Sequence, residues 1–108
     1  MKPDIIIEVR FKTAAEGGRK SAVGGPEVLV DYYSCPFVVD GDAFDCRMLL
    51  EHRVLELGKT YQVPVKFLSP QLVLPRLKEG KEFVLLEGKE VAAGKVLRVA
   101  MTDNMTDQ

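Results

Sequence analysis

The sequence predicts an all-β domain, and three observations carry that expectation. Apolar residues recur with period two in several short segments, the pattern of half-buried strands. Gly, Pro and Asp clusters separate those segments at regular intervals, as strand-to-strand turns require. No stretch shows a sustained helical period. The result is six or seven β segments, which suits a small barrel or sandwich, and closing a barrel would remove exposed strand edges.

Ile5 to Thr13 is the clearest strand: Ile5, Ile7, Val9 and Phe11 share one face, and Glu8, Arg10 and Lys12 lie on the other. Ala14 to Pro26 follows as a loop with two Gly-Gly pairs around Arg19, Lys20 and Ser21. A phosphate-cradling loop would need Gly-x-x-x-x-Gly-Lys-Ser/Thr between a strand and a helix. Neither the spacing nor a following helical pattern is present, so a plain β–β loop is expected.

Glu27 to Tyr33 reads as the second strand, with Cys35 to Val39 continuing it after a break at Pro36. Asp40-Gly41-Asp42 is a turn. Asp40, Asp42 and Asp45 lack the Asp-x-Asp/Asn-x-Asp/Asn-Gly spacing of a calcium loop, so no metal is expected. Ala43 to Leu50 alternates again. His52, the sole histidine, has no nucleophile or second ligand beside it and is expected as an exposed strand or loop residue. Leu57 to Thr60 turns the chain into a strand from Tyr61 to Leu68. Pro64 in that strand implies an edge or a bulge. Pro70 and Pro75 make a long helix improbable between Ser69 and Glu79. Phe83 to Val99 closes the chain as a hairpin about Glu87-Gly88, with Gly94 at an unusual mid-strand position.

The 108 residues suffice for one core without staples. The expected domain has a core from about residue 5 to 100 and a flexible tail at 101–108. With 46% hydrophobic and 29% charged residues the chain is globular in composition. A net charge of −1 supplies no global attraction to nucleic acid or anionic lipid. No apolar run reaches the length of a membrane span, and Asp4 and Glu8 interrupt any signal-like segment, so a cytoplasmic protein is expected. Cys35 and Cys46 are placed to face each other across a hairpin, but in a reducing cytosol free thiols are expected. No nucleophile–base pair or cofactor motif is present, so neither enzyme activity nor a cofactor is expected.

The ordered signals resemble the third, C-terminal domain of bacterial elongation factor Tu and its translational GTPase relatives. Four stretches carry the resemblance, which spans about Ile7 to Val99. An apolar strand leads into Glu16-Gly17-Gly18-Arg19, and Pro26-Glu27 opens the next. Leu57-Gly58-Lys59 precedes a strand ending Phe67-Leu68-Ser69-Pro70. Glu79-Gly80, Phe83, Glu87-Gly88-Lys89, Val91-Ala92-Ala93-Gly94 and Val96 complete the series.

The resemblance implies a small six-stranded antiparallel Greek-key β-barrel, standing here without the family's GTPase domain and therefore without a nucleotide site. It implies a protein-interaction module of the translation machinery acting as a mimic, decoy or regulator, since the family's barrel packs against its GTPase domain and meets the exchange factor. It also implies an alternative, weak binding to the backbone of tRNA or other RNA. The family's RNA-contacting positions map to Arg19, to Lys20 in place of a His, to Tyr32 or Tyr33 in place of a Thr, to Gly88, and to Lys89 in place of an Arg. A basic corner of Arg19, Lys20 and Lys89 is the expected partner-binding site. The chain departs from the family pattern at Gly25-Pro26-Glu27, where an Arg is lost, and between Ser69 and Phe83, which is longer and holds Pro75.

Overall fold

The chain's inward faces are set by period-two alternation, and the computed structural model, which describes residues 2–25 and 31–100, places six strands accordingly. They are β1 (Ile5–Phe11), β2 (Tyr32–Val39), β3 (Asp42–Leu49), β4 (Thr60–Phe67), β5 (Glu82–Leu86) and β6 (Glu90–Val99). Around the closed barrel the order is β1-β4-β3-β2-β5-β6, and the paired neighbours are antiparallel. β2, β3 and β4 follow one another as adjacent strands while β1 lies beside β4, which is Greek-key order. The expected strand residues Glu27–Val30 and the expected tail at 101–108 lie outside the described residues.

β1 is the central stave. Ile5, Ile7, Val9 and Phe11 are buried, and the strand pairs with β4 on one side and β6 on the other. Across the barrel, Phe37 of β2 stacks on Phe83 of β5 with centroids 4.4 Å apart. It also meets Phe67 of β4 edge-on at 5.0 Å, so one ring from each of three strands fixes the interior. Val23 and Leu55 bridge through their backbones, and both are buried in the same core. Val73 and Leu77, from the β4–β5 connection, are buried there too.

Three sequence expectations need correction or refinement. β2 does not break at Pro36; it runs unbroken from Tyr32 to Val39. Pro36 faces Asp45 on β3, and the ladder with β5 begins only at Phe37, so the missing N–H falls where no ladder bond is due. Pro64 likewise lies one residue beyond the β3–β4 ladder, which ends at Val65, although β4 pairs on both sides and is no edge strand. Finally, Ser69 to Glu79 is not free of helix. Pro70–Val73 forms one short α-helix (α1) and Leu74–Arg76 a 3-10 turn, each with Pro in its first turn, where proline costs no hydrogen bond.

Gly94 faces inward opposite Phe83. A Cβ there would sit 1.9 Å from the Glu8 carbonyl oxygen and 3.0 Å from the Phe83 ring, so β1 and β6 approach closely only because the side chain is absent. Two bulges bend β6 further: the register skips Leu97 against β1 and Val91 against β5. The second bulge explains why Val91 and Ala92 are both buried. The ladders are unequal. β2–β3 has eight residue pairs, whereas β3–β4 has three and β2–β5 has two.

Candidate functional site

Of the residues expected in a basic corner, Arg19 lies where the loop after β1 meets the β5–β6 turn, paired with Glu87. Thr13 caps the 3-10 turn Ala14–Glu16 reciprocally with Glu16. Its backbone N–H donates to Glu16 at 2.8 Å, and that bond, followed by Arg10, holds the Glu16 carboxyl below its ordinary range. Gly17 then ends the turn in the left-handed region, and Gly18 packs where a Cβ would strike the Lys12 carbonyl at 2.3 Å. This compact course delivers Arg19 to the barrel wall.

Arg19 is fully engaged there. Its guanidinium forms an ion pair with Glu87 and lies 5.4 Å from the Tyr33 ring centroid. It also donates to the carbonyls of Ser21 (3.1 Å) and Ala22 (3.4 Å). The Tyr33 hydroxyl donates to the same Glu87 oxygen, and its ring meets Phe11 edge-on at 5.7 Å. Of the two tyrosines considered for this corner, Tyr33 joins it. Tyr32 instead carries the Arg47 guanidinium, 4.5 Å from its ring.

Gly88 makes the turn at φ +73°, and Glu87 donates its N–H to the Lys89 carbonyl at 2.8 Å. Lys20 and Lys89 stand exposed, while Lys12 pairs with Glu90 at 3.3 Å. The corner is thus an ion-pair and aromatic cluster flanked by lysines. The residue that sequence reasoning missed is Glu87. It read as a turn residue, and a partner 68 positions away left no local signal.

Asp40 and Asp42 are committed elsewhere. Asp40 binds Lys81 at 2.7 Å, which lowers its carboxyl from the ordinary range, and Asp42 binds Arg76 at 2.7 Å. His52 has a 91% exposed side chain, and its backbone N–H donates to Asp31 at 2.7 Å. Among the described residues no group of three His, Cys, Asp or Glu is placed to hold a metal ion.

A second surface lies on the β4–β5 connection. Leu68, just past the end of β4, and Leu72, on α1, are 63% and 60% exposed. Leu68 is anchored by its N–H to the Asp45 carbonyl at 3.1 Å, and Leu72 by its N–H to the Ser69 carbonyl at 3.0 Å. Leu68 also borders a groove of about 360 Å³ that reaches Cys35 and Cys46. A broader depression of about 640 Å³ crosses β1, β5 and β6, but charges of both signs line it, among them Glu8, Arg10, Glu82 and Lys95. A scan against protein-family models and a search of curated proteins each return no match to this chain.

Proposed function

We propose that the chain is a non-catalytic protein-interaction module, and that Leu68 and Leu72 form its contact. The observation that carries this reading is their exposure on one short, anchored segment. Large apolar side chains held in water by a fixed backbone are what protein contacts use. The resemblance to the third domain of elongation factor Tu suggests the partner class, a protein of the translation machinery that the module would mimic, sequester or regulate in the cytoplasm without a cofactor.

The test is direct binding of the purified chain to a purified elongation factor and its exchange factor. Saturable binding that is lost in Leu68→Asp/Leu72→Asp but kept in Arg19→Glu/Lys89→Glu supports the reading. Binding indifferent to the leucines, or none to either factor, counts against it.

A second reading, contact with an RNA backbone, draws on exposed Lys20 and Lys89 beside the hairpin turn. With Arg19 paired to Glu87, two lysines would supply only a weak and steeply salt-dependent attraction. A tRNA titration at low salt checks it, and an unchanged result in Lys20→Glu/Lys89→Glu would remove it.

A further inference from the structure

The β2–β3 hairpin sets Cys35 and Cys46 directly opposite each other, and both are free and buried. Pro36, which has no N–H to give, pairs with Asp45, and the Asp45 carbonyl turns outward to accept from Leu68. By alternation, the neighbouring Cys35–Cys46 pair is one whose backbones exchange hydrogen bonds. The Cα atoms of such a pair stand about 5.5 Å apart, within the range of roughly 4.4–6.8 Å that a disulfide spans. Both residues also border the groove beside Leu68. A hydrogen bond with Cys35, and then burial, push the Cys46 thiol far up, so it keeps its proton. Cys35 is the more accessible of the two, at 6% against 2%.

We propose that Cys35 and Cys46 form an oxidisable dithiol, converted by a small hydroperoxide into a cross-strand disulfide and returned by a thiol reductant. Cys35 sulfur attacks the peroxide: an S–O bond forms, the O–O bond breaks, and the thiol proton leaves with the departing oxygen. Cys46 sulfur then attacks Cys35 sulfur, forming S–S and breaking S–O, and the Cys46 proton departs with the hydroxyl as water. Two electrons pass from the sulfurs to the peroxide. This chemistry does not depend on Leu68 binding any protein.

The test treats the full chain with one equivalent of hydrogen peroxide, then denatures and alkylates it. The expected product is a monomer that has lost two hydrogen atoms and takes up no alkyl group. Cleavage before Asp40, Asp42 or Asp45 should leave the two cysteine peptides joined until dithiothreitol is added. In Cys46→Ala the reaction should stop at a Cys35 sulfenic acid trapped by dimedone. Should that variant fail to fold, the peptide map of the unaltered chain decides alone. Two alkylatable thiols after treatment, a disulfide between chains, or a lone sulfinic acid would each overturn the proposal.

Discussion

Arg19 and Glu87, 68 residues apart in the chain, close the corner between the β1–β2 loop and the β5–β6 hairpin as a partly buried ion pair. Tyr33 takes part from both sides, bonding the carboxylate and lying under the guanidinium. Because three elements meet there, Arg19→Ala should destabilise the fold by about 1–2 kcal/mol, more than an isolated surface pair contributes. Urea unfolding would measure it, and a double-mutant cycle with Glu87→Gln should show coupling. Glu87→Gln alone should leave the corner one charge more positive. Any affinity for a polyanion should then rise several-fold at low salt, and the gain should fade as salt screens it.

Gly94→Ala should be far more damaging. Its Cβ meets a backbone carbonyl at 1.9 Å rather than a side chain that could swing away, so β1 and β6 must part. A loss of about 3 kcal/mol or more is expected. Thermal unfolding should show a midpoint lowered by more than roughly 10 °C, or no folded protein at all.

The turn at Glu51-His52 should be improvable. Both residues hold positive φ (58° and 64°), and Arg53 donates back to Leu50 at 3.0 Å. This is a geometry that Asn-Gly adopts without strain. Glu51→Asn with His52→Gly should therefore stabilise the protein by about 0.5–1 kcal/mol. The backbone N–H bond to Asp31 survives the change. A midpoint that falls would show that the histidine side chain contributes more than its exposure suggests.

Acid should weaken the fold through Glu16 and Asp40. Both carboxyls are lowered in the folded chain, Glu16 by the Thr13 N–H and then Arg10, Asp40 by Lys81. Their stabilisation is complete above the ordinary values of 4.5 and 3.8. It is lost as pH falls through the folded values, because the unfolded chain then binds more protons. Lys59, raised above 10.5 by Glu56, acts in the opposite sense: its contribution holds below that value and is lost as pH climbs through the folded one. Denaturant midpoints measured across pH should slope accordingly, and Glu16→Gln with Asp40→Asn should flatten the acid limb.

Much of the architecture was legible because it is written in local alternation. Ile5 to Phe11 and the hairpin about Glu87-Gly88 lie where the period and the turn residues put them. Gly94 stood out in mid-strand from the sequence, and the Glu8 carbonyl packed against it explains why. The misreadings share one cause, that a residue's effect depends on which ladder it faces. Pro36 and Pro64 read as interruptions, yet each sits just beyond the end of a ladder. The exposed pair Leu68 and Leu72 was hidden between prolines, since exposure of a leucine is a tertiary fact. Arg19 was correctly placed near the turn, but its neutralisation by Glu87 needed the folded chain.

The unequal ladders give the barrel a mechanical grain. The β2–β3 hairpin is knitted along its whole length but joined to the other four strands by three residue pairs on one flank and two on the other. Those two seams should open first when the molecule breathes, releasing the hairpin as a hinged flap while β1 stays clasped between β4 and β6. Amide exchange should accordingly be faster along the β2–β5 and β3–β4 seams than along β1.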